Sequence, residues 1–387
     1  MKYFDFNATS PLSSVAEEVW MSSNQEYWQN PSSPYIGSAR AKNRLEGLRE
    51  QMASILETKT ENIIFNSGAT EGNNTLINYC AKNSKSDARI LISNIEHPSV
   101  IKAAEVTFGR KVDFIPVSAA GVIETPNLLP LIKNGNYSLI SVMAANNETG
   151  IIQPWREILE MCNENNIPYH CDASQWIGKL PPKNLGKCDF LTGCGHKFVG
   201  TKGVGFLKIS ECFANFKSFY GGEQESGHRG GTENLPAIAA MIAALEGKLL
   251  NSEIIKANQE LWKNEFLDIL LNEVPGIKII GKGVNQLWNT ASIILPKHDN
   301  IRWVMRLDKL GFSISTGSAC ASGREGPSHV LKAMGYTFDE IKRTVRISGG
   351  SDTSRKAWHE LGEAFKRVWK DLNMRSSSLN KARIISI

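Results

Sequence analysis

Continuous apolar runs alternate with amphipathic segments through the first half of the chain. The run at 63–66 leads into a helical pattern over about 70–81, and the run at 90–93 into one over 99–108. A run at 112–117 follows, then 139–144 leads into a helical pattern at 155–163, and runs at 167–172, 190–193 and 204–209 close the series. Strands that are apolar on both faces and separated by helices predict a mostly parallel, seven-stranded sheet between helical layers. The last two runs are joined too closely for a helical crossover, which predicts one antiparallel pair there.

Helical patterns at 236–250 and 253–272 end at the breaker pair Pro275-Gly276. Beyond it, strand-like runs at 277–280, 290–295 and 312–315 alternate with helical patterns near 301–310, 328–334 and 354–370. The expected division is a large α/β domain over residues 15–255 and a smaller α+β domain from residues 1–14 and 256–387. The stretch 375–387, with Ser376-Ser377-Ser378 and scattered charge, is expected to fray.

Composition narrows the class. At 387 residues the chain exceeds one compact core, and 41% hydrophobic with 21% charged residues is globular rather than disordered. A net charge of +5 without a long basic run does not indicate direct nucleic-acid or membrane-surface binding. No apolar stretch reaches bilayer length, and Met1-Lys2-Tyr3-Phe4-Asp5 lacks the pattern of an export signal. Seven cysteines without paired spacing point to a reducing cytoplasm.

Two of the apolar runs end in chemistry. Ile167-Pro168-Tyr169-His170-Cys171 delivers Asp172, and Phe190-Leu191-Thr192 leads to Gly195-His196-Lys197. An acid and an amine at one carboxyl edge of a sheet stand where α/β proteins bind ligands. A lysine for a Schiff base and an aspartate for a pyridinium nitrogen are what a pyridoxal-phosphate enzyme requires. Lys202, in the connecting turn, is the competing amine, and Asp172 has the alternative use of capping the next helix. Gln175 is placed to donate to a ring oxygen or an imine.

Other segments add to this or compete with it. Ser67-Gly68-Ala69-Thr70-Glu71-Gly72 opens a helix after a strand and suits a phosphate, or is a plain cap. His97, in Glu96-His97-Pro98, would stack on a planar ring, move protons or only start a helix. Asn146-Asn147 offers amides to a phenolate oxygen or forms a turn. Cys320 lies in the loop Gly317-Ser318-Ala319-Cys320-Ala321-Ser322-Gly323, as a nucleophilic thiolate or a tolerated thiol. Arg346, inside a strand pattern, grips a substrate carboxylate or a structural one. The glycine-rich segment 221–232 lacks the strand–helix frame of a dinucleotide site. A metal site from His170, Cys171, Cys188, Cys194 and His196 is disfavoured, since 170 and 171 point to opposite faces and no Cys-x-x-Cys occurs.

Taken together, Asp5-Phe6-Asn7-Ala8-Thr9-Ser10-Pro11, Asn30-Pro31-Ser32, the 67–71 turn, Glu96-His97 and Asn146-Asn147-Glu148-Thr149-Gly150 resemble, in order, the cysteine desulfurases of the NifS/IscS group. So do Asp172-Ala173-Ser174-Gln175, Gly195-His196-Lys197, Arg229-Gly230-Gly231-Thr232-Glu233-Asn234, Gly317-Ser318-Ala319-Cys320, Pro327-Ser328-His329-Val330-Leu331 and Val345-Arg346. The resemblance runs from Tyr3 to about Arg367. It implies the pyridoxal-phosphate-dependent transferase fold of type I and a homodimer. It also implies that Lys197 holds the cofactor, Asp172 pairs with the pyridine nitrogen, His97 stacks on the ring, and Asn147 and Gln175 contact the ring oxygen. Ala69, Thr70 and His196 would cradle the phosphate, joined by Thr232 of a second subunit. Arg346, helped by Asn30, would bind the carboxylate of L-cysteine, and Cys320 would carry its sulfur to an acceptor protein for iron–sulfur cluster assembly or nucleic-acid thiolation. Cys194 stands where the group has a serine on the phosphate, and Gly349 where it has a leucine; the run 322–326 is also atypical. Two other readings remain at this level: the same cofactor acting on selenocysteine or cysteine sulfinate, and an inactive partner that only docks acceptors.

Overall fold

The computed structural model describes residues 1–250, 252–317 and 327–384. The chain opens on a two-residue strand, β1 (Lys2–Tyr3), followed by α1 (Ser14–Glu26) and α2 (Ile36–Leu56). Strands and helices then alternate: β2 (Ile63–Asn66), α3 (Ala69–Lys82), β3 (Arg89–Ser93), α4 (Pro98–Phe108), β4 (Val112–Ile115), α5 (Thr125–Asn134), β5 (Tyr137–Ser141), α6 (Trp155–Glu164) and β6 (Tyr169–Asp172). β7 (Phe190–Cys194), β8 (Gly205–Ile209) and α7 (Leu235–Leu249) complete this part. After α8 (Ser252–Glu273) come β9 (Lys278–Ile279), β10 (Thr290–Ile294), α9 (Asn300–Lys309), β11 (Phe312–Ser313), α10 (His329–Ala333), α11 (Phe338–Lys342), β12 (Thr344–Ser348) and α12 (Arg355–Ile384).

The chain divides into two compact units. The larger comprises Ala8–Asn147 and Ile151–Ser252, the smaller Met1–Asn7, Glu148–Gly150 and Glu253–Ile387. In the larger unit a seven-stranded sheet has the order β2-β8-β7-β6-β5-β3-β4. β6, β7 and β8 are buried along their whole length, as strands covered on both faces must be. On one face Leu76 and Ile77 of α3 and Val100 and Ala104 of α4 pack on Ile90, Ile92, Phe190 and Leu207. β8 runs antiparallel to β7, as its short connection requires, and antiparallel to β2 as well. It is therefore the one reversed strand between its two neighbours.

The register that matters for function is between β6 and β7, which are parallel with Asp172 opposite Thr192. Their carboxyl ends emerge at the same sheet edge. In the smaller unit β10 pairs antiparallel with β12 and β9, and β1 pairs parallel with β11. Its core gathers Phe4, Phe266, Trp303, Trp358 and Phe365. One expectation is corrected here: residues 375–384 do not fray but continue α12 to Ile384. After Gly362 that segment contains neither proline nor glycine to stop a helix. Among the described residues no helix is long and apolar enough to cross a membrane.

Candidate active site

Asp172 ends β6 and is buried. Its Oδ1 accepts from the Ser174 backbone N–H at 2.9 Å and its Oδ2 from Asn73 Nδ2 at 3.0 Å. Lys197 follows β7 in a single 3-10 turn, Gly195–Lys197, and its Nζ donates to the Ala8 carbonyl at 2.8 Å. The Cys194 thiol lies within reach of both charges. Burial pushes its pKa up, Lys197 pulls it down, and Asp172 raises it again.

The turn is braced from the chain's own start. The His196 carbonyl accepts from Ser10 N–H at 2.9 Å and from the Ser10 hydroxyl at 2.8 Å, and His196 Nδ1 meets Thr9 Oγ1 at 3.2 Å. Burial, then the charges of Lys197 and Lys202, lower the His196 pKa to about 4. The imidazole is therefore neutral at physiological pH, a hydrogen-bonding group and not a fixed cation.

α3 begins at the same edge. Gly68 precedes it at φ +143°, a conformation that side chains disfavour, and as the N-cap residue it offers no side-chain cap. The first N–H groups of α3, those of Ala69 and Thr70, thus stand at the positive end of the helix dipole. The Ala69 N–H faces the Cys194 sulfur. Glu71 does not compete for that position. Its carboxylate accepts from Ser67 N–H at 2.9 Å and from Arg229 Nε at 3.0 Å. Burial raises the Glu71 pKa, but these donors outweigh it and hold the carboxyl below its ordinary range. Arg229 comes from the glycine-rich segment, where Thr232 is exposed and lines, with Ser67 and Arg229, a cavity of about 130 Å³.

The remaining candidates divide by unit. His97 caps α4, and its Nδ1 lies 2.8 Å from Ser99 Oγ and 3.1 Å from the Ser99 backbone N–H. Gln175 is buried, with its Oε1 accepting from the buried Lys179 ammonium. Asn147 is half-buried at the end of the larger unit's first segment. Asn30 is exposed and folds an Asx turn, accepting Ser32 N–H at 2.9 Å. Arg346 belongs to the smaller unit, where it is buried in β12 and donates to Asp5 Oδ1 at 2.6 Å. Cys320 lies outside the described residues.

Sequence reasoning gave no role to Asn73 and Thr192 beside Asp172, named His170 only as a disfavoured metal ligand, and passed over Lys179 beside Gln175. Glu96 appeared in it only as part of a motif. The Glu96 carboxyl is buried and accepts Met143 N–H at 2.8 Å; burial pushes its pKa up to about 8, against the Met143 bond and with help from Asp172. Nothing in the local sequence marks Asn73 or Thr192, because their partners are 99 and 119 residues away along the chain.

Comparison with known proteins places the chain in a family. The family model described as Aminotransferase class-V matches residues 2–356. A cysteine desulfurase IscS of Methanosarcina thermophila is 34% identical over 355 residues, 90% of this chain and 87% of that protein. Among solved structures, a NifS-like protein superposes with a TM-score of 0.88 at 29% identity, covering 96% of this chain and 99% of the other. SspA in complex with cysteine gives 0.78 at 29% identity, covering 90% and 98%.

Proposed function

The chain belongs to the class-V aminotransferases and, within them, to the NifS/IscS cysteine desulfurases, and from that premise we propose that it removes the sulfur of L-cysteine, carries it on Cys320 and releases L-alanine. The enzyme depends on pyridoxal 5′-phosphate, which supplies an electron sink beside the substrate α-carbon. The observation that carries the reading is the placement of Asp172 and Lys197 after neighbouring parallel strands at one sheet edge, with the glycine-preceded start of α3 at the same edge.

The residues fit that cofactor. Asp172, held by two N–H donors, would take the ring nitrogen, and Lys197 the aldehyde. Ala69, Thr70 and the neutral His196 would hold the phosphate, with Cys194 as a weaker neighbour than a serine. His97 would lie on the ring, and Asn147 and Gln175 at the ring oxygen.

The Lys197 amine would accept the substrate α-proton and return it. The Cys320 thiolate attacks the substrate sulfur; an S–S bond forms as the Cβ–S bond breaks, and the electron pair left on Cβ takes up a proton to give alanine. Arg346 and Asn30 would hold the substrate carboxylate, which requires Arg346 to share or exchange its Asp5 partner. The persulfide would pass to an acceptor protein in the cytoplasm, for iron–sulfur cluster assembly or nucleic-acid thiolation. Thr232 is exposed, as are the aromatic side chains of Phe219 and Tyr220, which supports a homodimer in which Thr232 would reach the second protomer's phosphate.

Borohydride reduction followed by peptide mapping tests the site: the label is expected on Lys197, and its absence there sinks the assignment. In parallel, Cys320→Ala should abolish persulfide formation while the visible cofactor band stays.

A further inference from the structure

Asn73 lies on α3, completely buried, and every polar atom of its side chain is used. Nδ2 donates to Asp172 Oδ2 at 3.0 Å and to Ser99 Oγ at 2.9 Å, while Oδ1 accepts the Thr192 hydroxyl at 2.8 Å. A carboxylate only accepts, so Asp172 dictates which end of the Asn73 amide faces it. The direction of each neighbouring bond then follows. The Ser99 hydroxyl, already accepting from Asn73, turns its own proton to His97 Nδ1 at 2.8 Å. The Ser99 backbone N–H points to the same nitrogen at 3.1 Å. With two donors aimed at Nδ1, the His97 proton belongs on Nε2.

The other arm runs inward. The Thr192 proton goes to Asn73, so Thr192 Oγ1 accepts from His170 Nε2 at 3.2 Å, and His170 Nδ1 accepts the Ser141 hydroxyl at 2.8 Å. His170, Thr192 and Ser141 are all completely buried. Burial lowers the His170 pKa to about 4, so it serves as a neutral link.

We infer that Asn73 is a positioning residue that ties the orientation of Asp172 to the tautomer of His97 through Ser99, so that the groups proposed for the ring nitrogen and the ring face are set by one amide. The inference rests on the reading of Asp172 and His97 given above, but its first test does not need the cofactor.

Nitrogen NMR of the full-length protein with labelled histidine reads the tautomer directly, with His97→Gln assigning one of seven histidines. Wild type should show His97 protonated on Nε2 alone, whereas Asn73→Ala and Ser99→Ala should each show a mixture. The visible cofactor band separates the arms. Asn73→Ala should move its pH midpoint by roughly one unit, through Asp172, and Ser99→Ala should leave it in place. An unchanged His97 tautomer in both variants overturns the coupling. Should Asn73→Ala fold poorly, Ser99→Ala carries the tautomer test alone. A tautomer that shifts as expected in a protein that forms no visible band upholds the coupling and removes the cofactor assignment instead.

Discussion

Glu96 shows how far one side chain can tilt the pH response. Its pKa rises from the ordinary 4.5 to about 8, first through burial, against the bond from Met143 N–H. Stability from keeping it protonated is complete below 4.5 and is lost as the pH climbs through 8. Glu96→Gln should therefore melt at a temperature close to wild type at pH 5 and gain on it progressively towards pH 8.5. Parallel melting curves across that range would refute the assignment. At this same scale, legibility was uneven. Asp172 and Lys197 could be read because each follows an apolar run that ends in a polar group. Asn73 could not, because the amide acquires its role only when β6, β7 and α4 fold around it, and Arg346 was equally consistent with a structural partner, which the fold supplies as Asp5.

Among the elements, the turn between β2 and α3 is held tightly by the start of β8. A Cβ at Gly205 would lie 2.5 Å from the Gly193 carbonyl oxygen and 2.6 Å from Gly68 Cα. Both are backbone atoms, so no rotamer change relieves the clash. Gly205→Ala should lose on the order of 2 kcal/mol in denaturant titration and also loosen cofactor retention, because Gly68 sets the start of α3. Equal stability with normal retention would show that β8 can shift freely. The strands around this turn were legible as uninterrupted apolar runs, since burial on both faces leaves no polar alternation to find. The pairing of β8 with β2 was not, because 138 residues separate Asn66 from its partner stretch only in sequence, and register across such a gap is a tertiary result. α1 escaped the reading for a simpler reason: it buries only Ala16 and Ser23 and so has no apolar stripe.

For the whole molecule, the notable feature is that the smaller unit is assembled from both ends of the chain. Phe4 is completely buried there, 4.9 Å from the Trp358 ring, and Asn7 Nδ2 donates to Thr290 Oγ1 at 2.9 Å. Phe4→Ala should lower the unfolding free energy by about 3 kcal/mol, read from tryptophan fluorescence, and an unaltered midpoint would remove residues 1–7 from the account of that core. The amides of Ala69 and Thr70 at the start of α3 carry a practical meaning for handling the purified protein. A helix start of this kind does not distinguish one small dianion from another. If the phosphate cradle is as proposed, inorganic phosphate or sulfate in a storage buffer should slow the uptake of the vitamin B6 coenzyme, and the rate at which the yellow colour develops should rise on exchange into a salt with a monovalent anion.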